Sequence, residues 1–500
     1  MKKSLSIKNP ASSFLSKQNN FIFYSDYRYA NLPEKDEKLL RDILTRINEA
    51  ATQKWGAEYA EARAQSLFKT MLTLKEGRVE AAKQGIEKGV ALRVLVNGAW
   101  GFASVGSLNP EILTNAVSEA CKMAKAASPR MNVPIKLAKT RVVEDRVKVV
   151  SKKNPEEISI EDKIKTTSAI NQNTLSYDKR VKSCTVDYLD LTGKSFFANS
   201  EGTFIELDKL YVWSRITASA LQNGVFAFSR EEIGSTNGYE VFDTETPEKV
   251  GERLAKRAIQ QLEAKTPKGG NCTVVLGPNV VGVFVHEAFG HLAEADLALS
   301  GGILANNLGK KIASDVVTFY DDGTVNGAFG SFKYDDEGVQ TQKTLLIKDG
   351  VVAGLLHNRE TAQKFNAEPT GNARAEDFRV EPIIRMRNTY MAPRDHTFEE
   401  LIENVRAGYY FKSFRGGQAN IDGTFQVGIQ EAYEIVNGEV GEPVRGASIS
   451  GNTLETLFKV DAVGKDFELW PGRCGKGQTA FICDGGPHIR VNEVTVGGSA

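Results

Sequence analysis

The 500-residue chain carries 63 Lys plus Arg against 63 Asp plus Glu, so its formal net charge is zero. That balance speaks against the basic excess of a direct nucleic-acid binder, and no apolar run reaches the roughly eighteen residues of a membrane span. Five scattered Cys, an odd number, do not suggest a disulfide framework and fit a reducing cytoplasm.

The length suggests two or three domains. Met1-Lys2-Lys3 begins like a secretory leader, but Ser4 to Asn20 supplies no apolar core to follow it. Residues 1–33 read as a polar N-terminal extension whose aromatic patch, Phe21 to Tyr29, packs on the body or on a partner. Leu39, Leu40, Ile43, Leu44 and Ile47 share one helical face, with Gly56 as the stop. Strands follow from Ala57 to Ala103, where Val90, Leu92, Val94 and Val96 alternate up to an Asn97-Gly98 hairpin turn. Asn109-Pro110-Glu111 opens a helix, with Asn as N-cap and Pro in the first turn. A helix and further strands follow the charged stretch near Lys152 to Glu156, and Thr246-Pro247-Glu248 caps another helix. That helix ends near a Lys265 to Gly270 linker, which divides residues 34–265 from residues 266–500.

Beyond the linker, Cys272 to Leu276 reads as a short strand and Gly277-Pro278-Asn279 as the start of an apolar helix. Asp322-Gly323, Asp349-Gly350 and Asn437-Gly438 read as hairpin turns between β-prone stretches. The expected fold is α+β: an N-terminal α/β domain with an antiparallel sheet and helices, then a mainly antiparallel β domain carrying an inserted metal-binding helix. Asp321, Asp322, Asp335, Asp336 and Glu337 miss the spacing of a calcium loop and read as acidic turns on a solvated face. Gly416-Gly417-Gln418 is too short for a phosphate loop and suits close approach of a substrate backbone.

The densest chemistry lies in His286-Glu287-Ala288-Phe289-Gly290-His291. Imidazole is a common zinc ligand, and a Glu beside such ligands is placed to act as a base. The two His are five residues apart, not four, which on a regular helix turns them about 140° from each other. One metal can take both only across a widened, π-type turn, and Gly290 is a weak helix former at that point. A lone buried His is usually hydrogen-bonded in a core; two beside a Glu point instead to a metal.

A catalytic zinc usually keeps three protein ligands. The candidates are His357, His396, His488 and the five Cys. Cys121, Cys184 and Cys272 read as small buried hydrophobes. Cys474, in what reads as a glycine-rich loop from Pro471 to Gly477 with Arg473 and Lys476 beside it, is favoured to be a thiolate. Cys483 is the weaker competitor, and chemistry alone leaves the choice open. Glu294 and Asp296 suit orientation of the His rings, and equally suit a polar helix end.

The segment His286 to Asp296 resembles the metal motif of the TldD/PmbA family of metalloproteases. So do Gly371 to Arg374, Arg387 to Met391, Gly416 to Gln418, Gly446 to Asn452 and Val494 to Gly498. The resemblance runs from about Ala57 to the C-terminus and makes 266–500 a metallopeptidase domain. It implies zinc held by His286, His291 and Cys474, with Glu287 as catalytic base. It also implies a dimer whose sites face an enclosed cavity admitting extended or unfolded peptides. The second subunit is either an identical chain or a motif-less relative of the TldE/PmbA type. Arg374, Tyr433 and His488 are candidate donors to transition-state charge, and none is assigned. The alternative is a non-catalytic regulator, of the DNA gyrase modulator type also described in this family, with a structural or vestigial metal site. Three convincing ligands rather than four weigh against a structural zinc. No Gly-x-Ser-x-Gly elbow supports a serine hydrolase.

Overall fold

The computed structural model describes residues 34–498. The 1–33 extension and its aromatic patch lie outside the described residues. The first half is built on long strands: β1 (Tyr59–Lys75), β2 (Arg78–Val96), β3 (Ala99–Val105), β4 (Glu144–Val147), β5 (Val181–Asn199), β6 (Phe204–Gln222) and β7 (Val225–Ser235). They form one sheet in the order β3-β2-β1-β5-β6-β4, with β7 also paired to β6. Apart from the parallel β4–β6 pair, its ladders are antiparallel.

Local chemistry sets these elements as the sequence suggests. Asn97 and Gly98 take left-handed φ of 49° and 70°, the pair that turns β2 into β3. Asn109 caps the Pro110–Ala127 helix by accepting from Glu111 and Ile112 N–H, and Thr246 caps Pro247–Glu263. In the Glu34–Trp55 helix, Leu40, Leu44 and Ile47 are buried; Leu39 is 57% exposed and leaves the expected face. In β2 the residues between the alternating positions, Ala91, Arg93 and Leu95, are buried as well, because both sheet faces are covered. Helices cover one face, and the other packs Leu67, Leu189, Tyr211 and Trp213 against Phe329 and Cys483 of the second half.

The second half runs through β8 (Gly270–Leu276), β9 (Phe319–Asp322), β10 (Lys343–Lys348), β11 (Val351–Val352), β12 (Ala373–Arg374), β13 (Ile383–Ile384) and β14 (Asn388–Met391). It continues with β15 (Ala407–Ala419), β16 (Thr424–Val436), β17 (Glu439–Val444), β18 (Ala447–Asn452) and β19 (Val460–Val463). It ends with β20 (Glu468–Gly475), β21 (Thr479–Gly486) and β22 (Ile489–Gly498). The path β15-β8-β22-β18-β16 closes on itself through β15–β16 pairing. A second sheet runs β11-β10-β9-β14-β21-β20. Pairing is mainly antiparallel, with β8–β15 and β14–β21 parallel. The helix Pro278–Phe284 leaves β8 and lies between β15 of one sheet and β20–β21 of the other.

Two expectations fail here. Asp349-Gly350 and Asn437-Gly438 form tight turns, but Asp322-Gly323 does not. β9 ends at Asp322 and its partner β10 starts only at Lys343. Gly323 answers a close approach instead, since a Cβ there would lie 2.7 Å from Arg387 Cδ. Nor are the acidic residues on a solvated face: Asp321, Asp322, Asp335 and Glu337 are 1%, 5%, 4% and 2% exposed. Their carboxylates serve irregular backbone and buried cations. Asp335 accepts from Glu337, Val339 and Ala373 N–H, and Glu337 pairs with Arg93 at 2.6 Å.

Candidate metal centre

The chain from Val285 to Gly290 is a π-turn, and His291 N–H donates to His286 O at 3.2 Å. This is the widened turn that the five-residue spacing requires, and it brings the two imidazole centroids to 5.0 Å. Gly290 has a steric role as well as a conformational one, because a Cβ there would lie 2.1 Å from Met386 Sδ.

Cys474 completes the cluster. The ligand atoms of His286, His291 and Cys474 all lie within 4.8 Å of one another, and no other such group occurs among the described residues. Cys474 Sγ is 3.3 Å from His291 Nε2. Its expected loop is in fact strand, since Cys474 pairs with Ala480 in the β20–β21 ladder and is 8% exposed. A ladder holds the thiol more firmly than a glycine-rich loop would. Arg385 adds to this by donating to Cys474 O at 2.9 Å and to Gln478 O at 2.6 Å. Cys483, the competitor, is turned away, with its Sγ accepting from Phe329 N–H.

Electrostatics tie the three together. Burial alone pushes the Cys474 thiol up, but His286 and His291 beside it bring it down to about 4. Burial pushes His291 down, yet Cys474 and Glu294 outweigh it and raise the imidazole to about 10. The two shifts are one attraction seen from both sides. The donor set fits a zinc-like cation: one thiolate and two imidazoles, borderline-soft and buried. Glu294, fully buried, holds His291 Nδ1 at 3.0 Å and so leaves Nε2 to face the cluster. His286 Nδ1 is buried without a protein hydrogen-bond partner.

Glu287 stands beside the cluster, its Oε2 4.0 Å from His291 Nε2, on the wall of a cleft of about 430 Å³. Gly417 faces it, where a Cβ would lie 3.5 Å from Glu287 Cγ; Gly416 lines the same wall. Asp296 does not reach a His ring, because Lys476 captures its carboxylate at 2.8 Å and also pairs with Glu294. Arg374 lies outside the cleft and donates to Met386 O and Phe481 O. Tyr433 is likewise absent from the cleft wall, its hydroxyl held by Gln260 and Glu431. His488 does line the cleft, between Asp466 at 2.7 Å and the Tyr410 hydroxyl at 3.0 Å.

Sequence reasoning missed Asp484 on the same wall. Burial pushes this carboxyl up to about 7, with His286 opposing and Glu287 adding to the rise. Alternation along β21 puts Ile482 and Asp484 on one face, but only the β20–β21 register shows that this face meets the His residues. Arg230, Glu231 and Glu232 of β7 also reach the cleft, through packing between the halves that no local pattern encodes.

Two imidazoles and a thiolate, converging beside a carboxylate at the edge of a cleft, define a metal-dependent hydrolase. Family models agree: the PmbA/TldA metallopeptidase domain 1 matches residues 60–124, its central domain 153–262 and its C-terminal domain 269–498. A metalloprotease of Methanothermobacter thermautotrophicus is 41% identical over 88% of this chain and 96% of its own. The zinc metalloprotease TldD homolog of Saccharolobus solfataricus is 34% identical over 89% of this chain and 98% of its own. The chain belongs to the PmbA/TldA metallopeptidase family, the TldD/PmbA family of its sequence motifs, and is a metallopeptidase. The fold is shared by a putative modulator of a DNA gyrase from Thermotoga maritima (TM-score 0.74, 23% identity, 92% of this chain and 100% of that one). It is shared equally by TldE from Thermococcus kodakarensis (0.70, 21%, 92% and 100%).

Proposed function

We propose that the chain is a zinc-dependent peptidase that cleaves extended or unfolded peptides, with residues 266–500 as its catalytic unit and 34–265 forming the N-terminal and central region. The observation that carries this reading is the convergence of His286, His291 and Cys474 within 4.8 Å, beside Glu287 on an open cleft. These three side chains would hold the metal, and the name of the Saccharolobus relative supports zinc. A zinc ion bound by them would supply Lewis acidity toward the scissile carbonyl and toward water. Glu287 takes the proton from the attacking water and passes it to the leaving amine. Glu294 fixes the tautomer and orientation of His291. A substrate strand is accommodated by β15: its pairing to β8 stops at Phe411, and Ser413 to Gly417 then line the cleft. Main-chain pairing of this kind would give low sequence selectivity.

The proposal includes a dimer enclosing the cleft, formed with an identical chain or with a motif-less partner. The shared fold of TldE supports the second arrangement. No described helix is long and apolar enough to cross a membrane; five scattered Cys, an odd number, support a reducing, cytoplasmic site of action. A regulatory role rests on likeness of fold to putative modulators of DNA gyrase from Thermotoga maritima and Bacteroides thetaiotaomicron, at 23% and 20% identity. Glu287→Gln decides between the readings: it should keep stoichiometric zinc and lower peptide cleavage about a thousandfold. Undiminished cleavage in that variant would exclude the mechanism; zinc without turnover in the unaltered protein, alone or with a partner subunit, would favour regulation.

A further inference from the structure

A second cavity, of about 410 Å³, lies on the other side of the β20–β21 hairpin, against the inner face of the N-terminal sheet. Among the side chains lining it, cationic ones outnumber acidic ones eight to four. Lys69 and Arg215 are neutralised by Glu87 and Glu232. The other six, Arg63, Lys209, Arg374, Arg385, Arg387 and Arg473, form no ion pair among the described residues.

Several of these cations are locked in place by backbone carbonyls, which orient a guanidinium without cancelling its charge. Arg63 donates to Val380 O, Arg387 to Gly371 O, Arg374 to Met386 O and Phe481 O, and Arg385 to Cys474 O and Gln478 O. The acidic residues reduce this excess without a direct pair: Asp336, which accepts from Ala375 N–H, attracts Lys209, Arg63, Arg374 and Arg387 from beyond ion-pair distance, and Glu376 accepts from Thr479 N–H. Aromatic rings complete the walls, with Lys209 4.3 Å from the Phe332 centroid and Arg473 4.9 Å from that of Trp213. A net excess of positive charge in a partly buried cavity acts more strongly than it would in water. The strain is visible at Lys209, where burial, against the pull of Asp336, and then repulsion from Arg374 and Arg387 leave the ammonium at about 8.

The cavity adjoins the cleft. Arg473 lines both and precedes Cys474 in the chain. Along β21, Phe481 faces the second cavity while Ile482 and Asp484 face the first. Arg215 and Glu232 form an ion pair, the first lining the cationic cavity and the second the cleft.

We propose that this cationic cavity is a carboxylate-binding subsite of the peptidase, receiving an acidic side chain or the C-terminal carboxylate of the peptide whose backbone lies in the cleft. The inference rests on the peptidase reading for its occupant, and on the unpaired cations for its chemistry.

The test uses peptides in matched pairs, Asp or Glu against Asn or Gln at successive positions and a C-terminal acid against its amide. Affinity is measured by calorimetry on zinc-loaded Glu287→Gln protein, and KM and kcat on the unaltered enzyme. One carboxylate position should bind about tenfold tighter than its amide twin, the worth of one charge-assisted hydrogen bond, with KM lowered to match. The C-terminal pair tells an acidic side chain from the chain end. The acid-to-amide ratio should fall toward one in Lys209→Gln and, as an independent check should that variant misfold, in Arg63→Gln. Equal affinities for every pair, or a preference that survives both substitutions, would overturn the subsite. If the enzyme, alone or with a partner subunit, cleaves no member of any pair, the peptidase reading fails, and the calorimetric ratio still decides whether the cavity binds carboxylates.

Discussion

The two halves of the molecule satisfy their backbones by different means. In the first, β1, β5 and β6 are 17, 19 and 19 residues long, and ladder bonds between them meet most of the demand. In the second, the chain from 323 to 342 and from 353 to 387 is largely without ladders, yet about half of its residues are buried. There, side chains substitute for strands: Asn388 donates to Asp322 O, Arg387 to Gly371 O, and Asp321 accepts from Arg387 N–H. The difference teaches where precision is placed. Ladders make a stiff wall, and a side-chain network holds the irregular turns that bring the candidate site together.

If that contrast is right, the network should be the more fragile half. Asp321, 1% exposed, accepts from Arg387 N–H, the Asn372 amide and the Thr389 hydroxyl. Asp321→Leu strips three buried donors of their partner at once and should cost about 4 kcal/mol, read as a loss in urea or thermal unfolding. Hydrogen exchange should rise around 370–390 before it rises in β1, β5 or β6. A loss below about 1 kcal/mol, the ordinary effect of a surface change, would break the contrast.

The same half should carry its own acid sensitivity. His357, 4% exposed, bonds Thr361 Oγ1 at 3.2 Å, and burial holds its imidazole down at about 4. The folded-state value lies below the unfolded one, so the unfolded chain binds the proton first. The contribution of neutral His357 is therefore complete above the unfolded value of about 6.5 and is lost as pH falls toward 4. The full swing is about 3 kcal/mol, the free-energy equivalent of that shift. His357→Asn, which keeps a polar partner for Thr361, should flatten the stability profile between pH 6.5 and 4. An unchanged slope would assign acid sensitivity to other groups.

The contrast also explains what could be read from the chain. Caps at Asn109 and Thr246 and the turn at Asn97-Gly98 depend on neighbours within four residues, so they were legible. The π-turn was legible because one metal cannot take both His286 and His291 across a regular turn. The glycines around Cys474 give its strand the composition of a loop, because its pairing with β21 does not show in local sequence. The burial of the acidic residues is not legible locally: Asp335 does bond Glu337 and Val339 N–H nearby, but Glu337 meets Arg93 from 244 residues away. Asp484 carries no local signal for the same reason, since its neighbour His286 is met only through folding.

The ladder half should respond least, and at its turns. Asn97 holds φ of 49° between β2 and β3, a conformation that Asn tolerates and that a side chain ending at Cβ does not favour. Asn97→Ala should cost about 1 kcal/mol, with β2–β3 register intact because seven cross-strand pairs from Val90↔Val105 to Val96↔Ala99 fix it independently. The discriminating measurement is Asn97→Gly, which removes the steric penalty and should recover most of the loss. If glycine recovers nothing, the Asn97 side chain is itself a needed partner. The first half would then depend on side-chain bonds as the second does, and the division between ladder and network would not hold at this turn.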